Sequence, residues 1–344
     1  MNIVHLIYAF TTGGAETMLI DIANEQVKTQ NVSIVIINNI YDNELLSRLD
    51  SRIRVYKIDR RPGSKNPIPP LKLNVVLYKI KPDVIHSHSI KGIDVLFPYF
   101  RNRTGLTIHD TRIEIHNIDK YKTLYAISVS VQKDIEKRYA ITPILVYNGI
   151  HTDRIKQKNI GESPNVFNLI QISRLEHYKK GQDLLLKALD IIVNKYGTKN
   201  IRLDFIGEGS SKSYLQELTR NLNLDANIRF LGLKDRAYIY DNLHQYDLLI
   251  QPSIYEGFGL TVTEAMAAGV PVLVSDIDGP MEIIRHGEYG YHFPSGDINA
   301  LADSIINIMD NPDNAKTEAA YRYVLSHFSI KATAANYIEE YKKL

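Results

Sequence analysis

The chain has 344 residues, of which 44% are hydrophobic and 23% are charged. This length favours two domains, and the composition is typical of a globular protein rather than a disordered or low-complexity one. The sequence holds no cysteine, which excludes disulfides, thiolate metal sites, iron–sulfur clusters and a cysteine nucleophile. The absence of cysteine also suits a reducing compartment.

Charge is distributed unevenly along the chain. Residues 1–150 hold 20 lysines and arginines against 14 acidic residues, a balance of +6, which leaves 21 basic and 25 acidic residues for the remainder. The basic half favours an anionic partner such as an anionic membrane or a lipid-linked diphosphate, although a chance scatter of surface charges accounts for the numbers equally well. No basic block with interleaved aromatic residues occurs, so we expect no nucleic-acid partner.

Two features bear on cellular location. No apolar run approaches the ~18 residues that cross a bilayer. The first residues, MNIVHLIYAFTTGG, lack the basic leader and the small-residue cleavage site of a signal peptide. We therefore expect a cytoplasmic protein, with peripheral contact at the inner face of the cell membrane.

Strand-like and helix-like segments alternate along the first 150 residues. Short runs rich in valine and isoleucine predict strands at residues 3–9, 32–37, 53–58, 83–86, 105–109 and 144–147. Amphipathic spacing predicts helices at residues 15–28, 70–80, 91–101 and 129–139. Continuous apolar strands that alternate with helices indicate a parallel sheet covered on both faces.

The alternation resumes after a polar stretch, and most of the chain beyond residue 275 is predicted to be helical. Strands are predicted at residues 166–172, 201–206, 228–231, 248–251 and 270–275, and helices at 181–196, 211–222 and 261–268. The predicted organisation is a Rossmann-like domain at 1–150, a linker at 151–164, a second Rossmann-like domain at 165–328 and a C-terminal helix at 329–344 that crosses back to the first domain. The fold class is therefore α/β with two doubly wound sheets, and the gap between the domains is the expected active site, because ligands bind beyond the carboxyl ends of such strands.

Residues 252–271, PSIYEGFGLTVTEAMAAGVP, carry the strongest signal for a binding site. Gly257 and Gly259 follow a predicted strand and precede a helix that begins near Thr261. Glycines let the backbone approach a ligand closely, and N–H groups at the start of a helix bind anions. The stretch therefore predicts a phosphate site, although it lacks the Gly-Lys-Ser/Thr ending of a Walker loop.

Glu256 and Glu264 flank this phosphate site. Along a continuous helix, eight positions would separate them by ~12 Å, which disfavours the ~5–9.5 Å separation of a glycosidase pair. We expect the two carboxylates to accept hydrogen bonds from opposite ends of an elongated ligand. The alternative for Glu264 is a buried capping residue or a solvated helix glutamate.

A basic segment, SRLEHYKKG at residues 173–181, follows another predicted strand. Arg174 comes directly after that strand, and Lys180 precedes the glycine that opens the next helix. A guanidinium and an ammonium aimed at one crevice would neutralise a departing diphosphate. Lys179 competes with Lys180 for this role, and a solvated basic turn is the structural alternative.

The first domain offers weaker signals. Gly13 and Gly14 lie between the first strand and the first helix, where they permit close approach of a phosphate or sugar, but the dinucleotide fingerprint is absent. His86, His88 and His109 close two strands, and a metal site is disfavoured because no carboxylate stands at a fixed spacing from them. We expect His109 to contact substrate hydroxyls and the other two histidines to shape the sheet edge.

With these motifs identified, the sequence resembles the retaining glycosyltransferases of family 4, which have the two-domain GT-B fold. The most specific part is EGFGLTVTEAMAAGVPV at residues 256–272, which is similar to the family's E-x7-E signature. The strand-end His109 is a further similarity. Other similar segments are GGAE at 13–16, YNGI at 147–150, SRL at 173–175, KKGQ at 179–182 and IGEG at 206–209. The resemblance spans nearly the whole chain.

The resemblance implies a nucleotide-diphosphate sugar as donor, a UDP-sugar above all, bound mainly by the second domain without a metal or cofactor. Arg174 and Lys180 would hold the diphosphate. Glu264 would bind the ribose, Glu256 the sugar, and His109 the transferred sugar from the first domain. The remaining donor-binding positions lie at the turn and at strand ends: Gly13, Gly14, Gly207, Gly257, Phe258, Gly259, Leu260 and Thr261.

The implied reaction moves a hexosyl group, with retained configuration, to a glycan or lipid-linked acceptor in bacterial surface polysaccharide synthesis of the capsule or O-antigen type. Arg174, Lys180 and the helix start would absorb negative charge as the donor C–O bond lengthens. The acceptor hydroxyl would attack from the same face, and domain closure would exclude water. The alternatives are a nucleotide-sugar epimerase, a phosphorylase and a non-catalytic nucleotide-sugar-binding protein.

Overall fold

The computed structural model describes residues 1–11, 13–158, 166–198 and 200–344, and the chain divides into two compact units. Unit 1 comprises Met1–Gly149 and Ile330–Leu344, and unit 2 comprises Ile150–Ser329. Of the predicted linker, residues 159–164 lie outside the described residues. The described part, 151–158, belongs to unit 2, where the Lys158 ammonium forms an ion pair with Asp247.

Unit 1 is built on a seven-stranded parallel sheet. Its strands are β1 (Asn2–Ile7), β2 (Asn31–Asn38), β3 (Arg54–Arg60), β4 (Val84–Ser87), β5 (Thr104–Ile108), β6 (Thr123–Ala126) and β7 (Ile144–Leu145). They lie in the order β3-β2-β1-β4-β5-β6-β7, and every pairing is parallel. The order reverses between β1 and β4, and the carboxyl ends of such a pair are where ligands of doubly wound sheets bind.

The helices of unit 1 connect these strands. They are α1 (Gly14–Gln26), α2 (Asn43–Leu46), α3 (Ile68–Ile80), α4 (Pro98–Arg101) and α5 (Val129–Tyr139). The predicted helix over residues 91–101 is wrong, because the segment forms a 3-10 turn at Gly92–Val95 and then the separate α4. Phe97 is extended, with φ −62° and ψ 149°, and the following Pro98 accounts for this since proline disfavours helical geometry in the residue before it.

The C-terminal helix, Ile330–Tyr341, belongs to unit 1 and packs against α1. Two tyrosines of this helix, Tyr337 and Tyr341, are buried against the sheet. The Tyr337 hydroxyl lies 3.0 Å from Oγ1 of Thr107, and the Tyr341 hydroxyl lies 2.5 Å from Nδ1 of His86. These bonds connect the last turns of the chain to β4 and β5.

Unit 2 repeats the architecture with six parallel strands. They are β8 (Phe167–Ile172), β9 (Ile201–Ile206), β10 (Ile228–Gly232), β11 (Leu248–Gln251), β12 (Val272–Ser275) and β13 (Tyr291–Phe293). Their order is β10-β9-β8-β11-β12-β13, so the order reverses between β8 and β11. Two doubly wound parallel sheets confirm the predicted fold class.

The helices of unit 2 bury regularly spaced apolar residues against this sheet. They are α6 (His177–Lys180), α7 (Gln182–Asp190), α8 (Lys212–Asn221), α9 (Arg236–Asn242), α10 (Leu260–Ala267), α11 (Asp278–Ile283), α12 (Ile298–Asp310) and α13 (Asn314–His327). The C-terminal helix of unit 1, Ile330–Tyr341, is named α14. Leu185 and Leu189 of α7, and Leu301 and Ile305 of α12, are one helical turn apart and join Leu203 of β9 in one buried core. None of the described helices has both the length and the apolar character that spanning a membrane requires.

Candidate active site

The reversal of strand order in unit 2 brings two loops side by side. β8 ends at Ile172 and β11 ends at Gln251, and the two strands pair directly with Leu248 opposite Leu169. The loop after β8 is the basic segment at residues 173–181, and the loop after β11 is the start of the glycine-rich stretch. Two segments that are about 75 residues apart in sequence therefore meet at one sheet edge because the strands before them are neighbours.

A close backbone approach joins these two loops. Gly181 has φ +66°, and a Cβ atom there would lie 2.0 Å from the carbonyl oxygen of Pro252. The carbonyl of Lys179 accepts a 2.9 Å hydrogen bond from the amide of Ile254. Only glycine permits this contact, so the position of α6 relative to the loop after β11 is fixed by the backbone.

Lys180 and Glu256 form an ion pair at this junction. The ammonium of Lys180 contacts Oε2 of Glu256, and the two side chains are only 15% and 19% exposed. The same oxygen accepts a 2.8 Å hydrogen bond from Nε2 of Gln251. Lys179, the alternative cation, instead lies with its ammonium 4.8 Å from the centre of the Tyr255 ring. The structure thus directs Lys180, rather than Lys179, toward Glu256.

Arg174 lies on the same loop but points to solvent. Its side chain is 70% exposed, and Nη1 lies 3.2 Å from Oε1 of Glu176. The backbone of Arg174 is held firmly, since its carbonyl accepts a 2.9 Å hydrogen bond from Nε2 of Gln182 at the start of α7. The backbone of Arg174 is therefore held in place, and its guanidinium pairs with Glu176 rather than with Glu256.

The first turn of α10 supports the predicted anion site. Gly259 is the N-cap residue with φ +111°, and no side chain among the described residues caps the helix. Phe258 is buried and packs against Phe328 with ring centres 5.7 Å apart, which anchors the turn. Leu260 and Thr261, the first helical residues, are half-buried. The uncapped start of an eight-residue helix therefore lies directly after Glu256 and Gly257.

Glu264 lies one turn further along α10. It is 5% exposed, so the solvated alternative is wrong and the buried one stands. A buried carboxylate requires a partner, because the free-energy cost of removing a charge from water is large.

The glycine loop after β9 is fixed by packing. Gly207 has φ +139°, and a Cβ atom there would lie 2.0 Å from the carbonyl oxygen of Ser173. Gly207 therefore has a structural requirement for glycine in addition to its predicted role as a donor-binding position.

Unit 1 carries a cavity of about 430 Å³ at the carboxyl ends of its strands. Its lining includes Tyr8, His88, Lys91 and His109. The Nε2 atom of the His109 imidazole is buried and has no hydrogen-bond partner among the residues that the structure describes. Burial lowers the pKa of His109 to about 4, so the ring is neutral near pH 7 and keeps a nitrogen for a ligand hydroxyl.

The glycine pair before α1 lies beside this cavity, since Ala15 also lines it. A Cβ atom on Gly14 would meet no other atom within 4 Å, so the space next to Gly14 is open. A Cβ atom on Gly13 would lie 2.4 Å from Oε2 of Glu16, so this glycine accommodates the folded-back Glu16 side chain. Of the two, Gly14 has the surroundings expected of a ligand-facing position.

Three buried histidines form a compact cluster behind the cavity. One ring nitrogen from each of His5, His86 and His88 lies within 4.8 Å of the others, a separation that fits a metal ion. His5 lies opposite His86 in the β1–β4 pairing and bonds to Nε2 of His88 at 3.0 Å and to Gln26 at 2.8 Å, and both ring nitrogens of His86 bond to hydroxyl groups. These hydrogen bonds occupy both ring nitrogens of His5 and of His86, whereas Nδ1 of His88 has no partner among the described residues.

Within unit 2, the structure brings Lys180, Glu256 and the start of α10 together. Arg174 lies on the adjoining loop with its charge in solvent. In unit 1, His109 lines the cavity, and Gly13 and Gly14 directly precede the lining residue Ala15. Gln251 is a site residue that the sequence analysis missed. A polar residue that ends an otherwise apolar, buried strand directly before a glycine-rich loop was the signal for it.

Comparison with known families accounts for nearly the whole chain. Residues 152–323, half of the chain, match the family described as glycosyl transferases group 1. Residues 12–154 match the family described as glycosyltransferase family 4. The boundary between the two matches falls next to the boundary between units 1 and 2.

Individual relatives are similar over parts of their length. The N-acetyl-alpha-D-glucosaminyl L-malate synthase of Bacillus anthracis is 32% identical over 186 residues, which are 54% of this chain and 47% of that protein. The phosphatidyl-myo-inositol mannosyltransferase of Mycobacterium leprae is 30% identical over 167 residues, 48% of this chain and 43% of that one. The matched part of the chain thus spans just under half the length of these two relatives.

A solved structure matches over the full length. HepE of Anabaena, in complex with UDP and glucose, aligns with a TM-score of 0.79 over 99% of both chains at 22% identity. At this level of identity the likeness shows the fold, two doubly wound parallel sheets in tandem.

Proposed function

This chain belongs to glycosyltransferase family 4, and we propose that it transfers a hexosyl group from a nucleotide-diphosphate sugar to a glycan or lipid-linked acceptor with retained configuration. The observation that carries the proposal is the meeting of Lys180, Glu256 and the uncapped start of α10 at the switch point of unit 2. Cations and helix N–H groups at one point bind a diphosphate, and a carboxylate beside them binds sugar hydroxyls.

Lys180 is suited to hold the leaving group. An ammonium has three N–H donors, and Glu256 accepts from one of them, which leaves donors for diphosphate oxygens. Arg174 supplies a second cation, and its exposed guanidinium has to leave Glu176 to reach the phosphates. The buried Glu264 is assigned to the ribose hydroxyls and Glu256 to the sugar.

In the chemistry that we propose, no side chain has to transfer a proton to the departing diphosphate. The bond between the anomeric carbon and the diphosphate oxygen breaks, and its electron pair leaves with the diphosphate. The acceptor oxygen forms the new bond on the same face of the sugar, and its proton passes to a phosphate oxygen of the leaving group. Lys180, Arg174 and the start of α10 stabilise the charge that accumulates, and no metal is assigned to this role.

His109 is assigned to a hydroxyl of the transferred sugar. The neutral imidazole lines the unit 1 cavity, and its Nε2 atom has no partner among the described residues, which suits a neutral hydroxyl better than a phosphate. Gly14 is assigned to the same ligand because the space beside it is open. Unit 1, which carries both residues, is also proposed to bind the acceptor.

The donor and the cellular role are proposed from the relatives. The complex of HepE with UDP and glucose supports a UDP-sugar donor. The name of the mycobacterial relative, a phosphatidyl-myo-inositol mannosyltransferase, supports a lipid acceptor. We assign the chain to surface polysaccharide synthesis at the cytoplasmic face of the membrane, with peripheral rather than inserted contact.

The first experiment screens nucleotide sugars for thermal stabilisation, since a ligand that binds the folded state raises the unfolding midpoint. The stabilising donor is then incubated with lipid-linked acceptors, and nucleoside diphosphate release and the anomeric configuration of the product are measured. Transfer with retention is expected. An inverted product contradicts the retaining mechanism, and undiminished turnover by both Arg174→Ala and Lys180→Ala contradicts the assignment of the leaving-group site.

The same assay separates the alternatives. An epimerase would convert the free donor without any acceptor, and a phosphorylase would require inorganic phosphate. A non-catalytic binding protein would be stabilised by a nucleotide sugar and release no diphosphate with any acceptor. Each of these three outcomes overturns the proposed transferase activity.

A further inference from the structure

The positive charge of the first half of the chain comes from one segment. Residues 54–81 hold eight lysines and arginines against one acidic residue, a balance of +7. The other residues of 1–150 hold 12 basic and 13 acidic residues. The basic character is therefore not scattered over unit 1 but belongs to β3, α3 and the loop between them.

The same segment presents an apolar face to solvent. Ile68, Leu71, Val75 and Tyr78 of α3 are 67%, 53%, 46% and 70% exposed. Their spacing of three, four and three residues puts them on one side of the helix. Single exposed apolar residues are ordinary on protein surfaces, whereas four in a row on one helix face mark a contact surface.

The opposite face of α3 is apolar as well, because Leu73 and Leu77 are fully buried against the sheet. The exposed face therefore does not serve the core of unit 1. Lys72 and Lys79 are exposed along one border of the apolar face, as helical spacing places them beside Ile68 and Val75. Lysine stems lie along apolar surface and extend their charge to a neighbouring polar layer.

Two neighbouring features extend this surface. Phe97 is 49% exposed, and its backbone amide donates a 2.8 Å hydrogen bond to Oδ1 of Asn74, so Phe97 is held beside α3. On the lysine side, Lys79 lines a cavity of about 630 Å³ together with Arg54 and Tyr56. An apolar face thus lies between an aromatic border and a cationic cavity that is large enough for a phospholipid headgroup.

We propose that the exposed face of α3, with Lys79 and Phe97 at its borders and the exposed Lys65 in the loop three residues before Ile68, is the surface through which unit 1 binds a membrane rich in anionic phospholipid. α3 has 13 residues and a length of ~20 Å, too short to span a bilayer but sufficient to lie in its interface. The apolar side chains enter the acyl boundary, and the cations contact lipid phosphates. This inference deepens the membrane contact of the proposed function, and it is tested by binding alone.

The sequence itself provides a sensitive probe, because the chain contains no tryptophan. Tyr78→Trp introduces a single tryptophan on the proposed surface, and Tyr196→Trp introduces one at an exposed site of unit 2. With vesicles that contain phosphatidylglycerol, we expect the emission of Tyr78→Trp to shift to the blue and that of Tyr196→Trp to stay constant. Absence of a shift for Tyr78→Trp overturns the proposal. A shift that depends on protein concentration without vesicles indicates self-association and also overturns it.

Vesicle sedimentation of paired variants tests the two components separately. Lys65→Gln with Lys79→Gln should weaken binding to phosphatidylglycerol vesicles by about fivefold for each cation removed, and added salt should reduce the difference. The matched control, Lys133→Gln with Lys137→Gln, removes the same charge from exposed positions on α5 and should bind like the unaltered protein. Equal loss in both pairs would show that net charge, not this surface, governs binding.

The apolar component is tested in the same way. Leu71→Gln with Tyr78→Gln should weaken binding by roughly tenfold or more, since two apolar side chains no longer enter the bilayer. The control pair, Tyr196→Gln with Leu325→Gln, changes exposed apolar residues of unit 2 and should have no effect. Nucleoside diphosphate release with a water-soluble acceptor should be unchanged in all four pairs, so a failed membrane surface and a failed transferase proposal give different results.

Discussion

Gln251 donates a 2.8 Å hydrogen bond from Nε2 to Oε2 of Glu256, the same oxygen that the Lys180 ammonium contacts. Two donors of different charge thus hold one carboxylate oxygen. Gln251 is 6% exposed and lies at the end of β11, so it acts from a rigid strand. The orientation of Glu256 is consequently set by the sheet through Gln251 and by α6 through Lys180.

This arrangement predicts that Gln251→Met reduces turnover. Methionine fills a similar volume without an N–H donor, so Glu256 keeps its ion pair but loses its link to β11. A hydrogen bond to a charged group contributes about 1.5–3 kcal/mol, which corresponds to roughly a tenfold to hundredfold fall in kcat if the orientation of Glu256 limits the reaction. Steady-state kinetics measure this, with Gln245→Met at an exposed turn as the control. An unaltered kcat would show that Lys180 alone positions Glu256.

Lys180→Gln and Lys179→Gln are expected to differ sharply. Lys180 is directed at Glu256, whereas the Lys179 ammonium lies over the Tyr255 ring. Loss of a cation at a developing charge lowers kcat by about 10²–10³, whereas loss of a half-buried cation–π contact changes stability by about 0.5–2 kcal/mol. The two variants carry the same change in charge and serve as each other's control. A larger kinetic defect in Lys179→Gln would transfer the diphosphate role to that residue.

Two glycine substitutions should distinguish a glycine that leaves room for a ligand from a glycine that close packing requires. Gly14→Ala adds a methyl group where no other atom lies within 4 Å, so we expect an unchanged or slightly higher melting temperature together with a raised KM for the donor. Gly181→Ala instead places a Cβ atom 2.0 Å from the Pro252 carbonyl at φ +66°, and we expect a loss of about 1–3 kcal/mol in stability.

Gly63→Ala is the control for Gly181→Ala. Gly63 also has a positive φ, +72°, but its Cβ would meet nothing within 4 Å, so only the backbone strain remains. Thermal unfolding of all three variants tests the assignment. If Gly181→Ala is no less stable than Gly63→Ala, the loops after β8 and β11 do not require this close contact. If Gly14→Ala leaves the donor KM unchanged, Gly14 does not face the ligand.

The buried His109 predicts sensitivity to acid. Burial lowers its pKa from 6.5 to about 4, so the unfolded chain takes up a proton at a higher pH than the folded protein does. Stability is therefore lost as the pH falls from 6.5 to about 4, by about 3 kcal/mol for this residue. His109→Gln should remove that part of the loss, which urea unfolding at pH 7 and pH 4.5 measures. His116→Gln, at an exposed position, should keep the full acid sensitivity, and equal sensitivity in both variants would contradict the burial argument.

The sequence was sufficient to predict the two sheets because long apolar strands alternate with amphipathic helices. Strands β6 and β13 were missed, since Thr123–Ala126 and Tyr291–Phe293 contain none of the valine and isoleucine residues by which the other strands were recognised. The proline in the 91–101 segment was overlooked as a helix boundary. The sequence therefore predicts the helices and strands whose own residues favour that structure. It misses the short strands that form because neighbouring strands stabilise them.

The site shows the same division. The loops that carry Lys180 and Glu256 were predicted from the glycines and charges beside them. The contact between the two side chains depends on β8 and β11 being neighbours, which no local pattern states. The outward apolar face of α3 was missed for a different reason: a helix that is apolar on both sides does not show the one-sided periodicity by which amphipathic helices are recognised.

The return of α14 to unit 1 has a consequence for biosynthesis. The ribosome produces all of Ile150–Ser329 before the residues that cover His86 and Thr107 emerge, so the first domain to be translated is the last to be completed. Until then the surface of α1 that α14 covers remains exposed on the nascent chain. A nonsense mutation that removes only the last 15 residues would therefore damage the N-terminal unit, although its own contiguous sequence is intact.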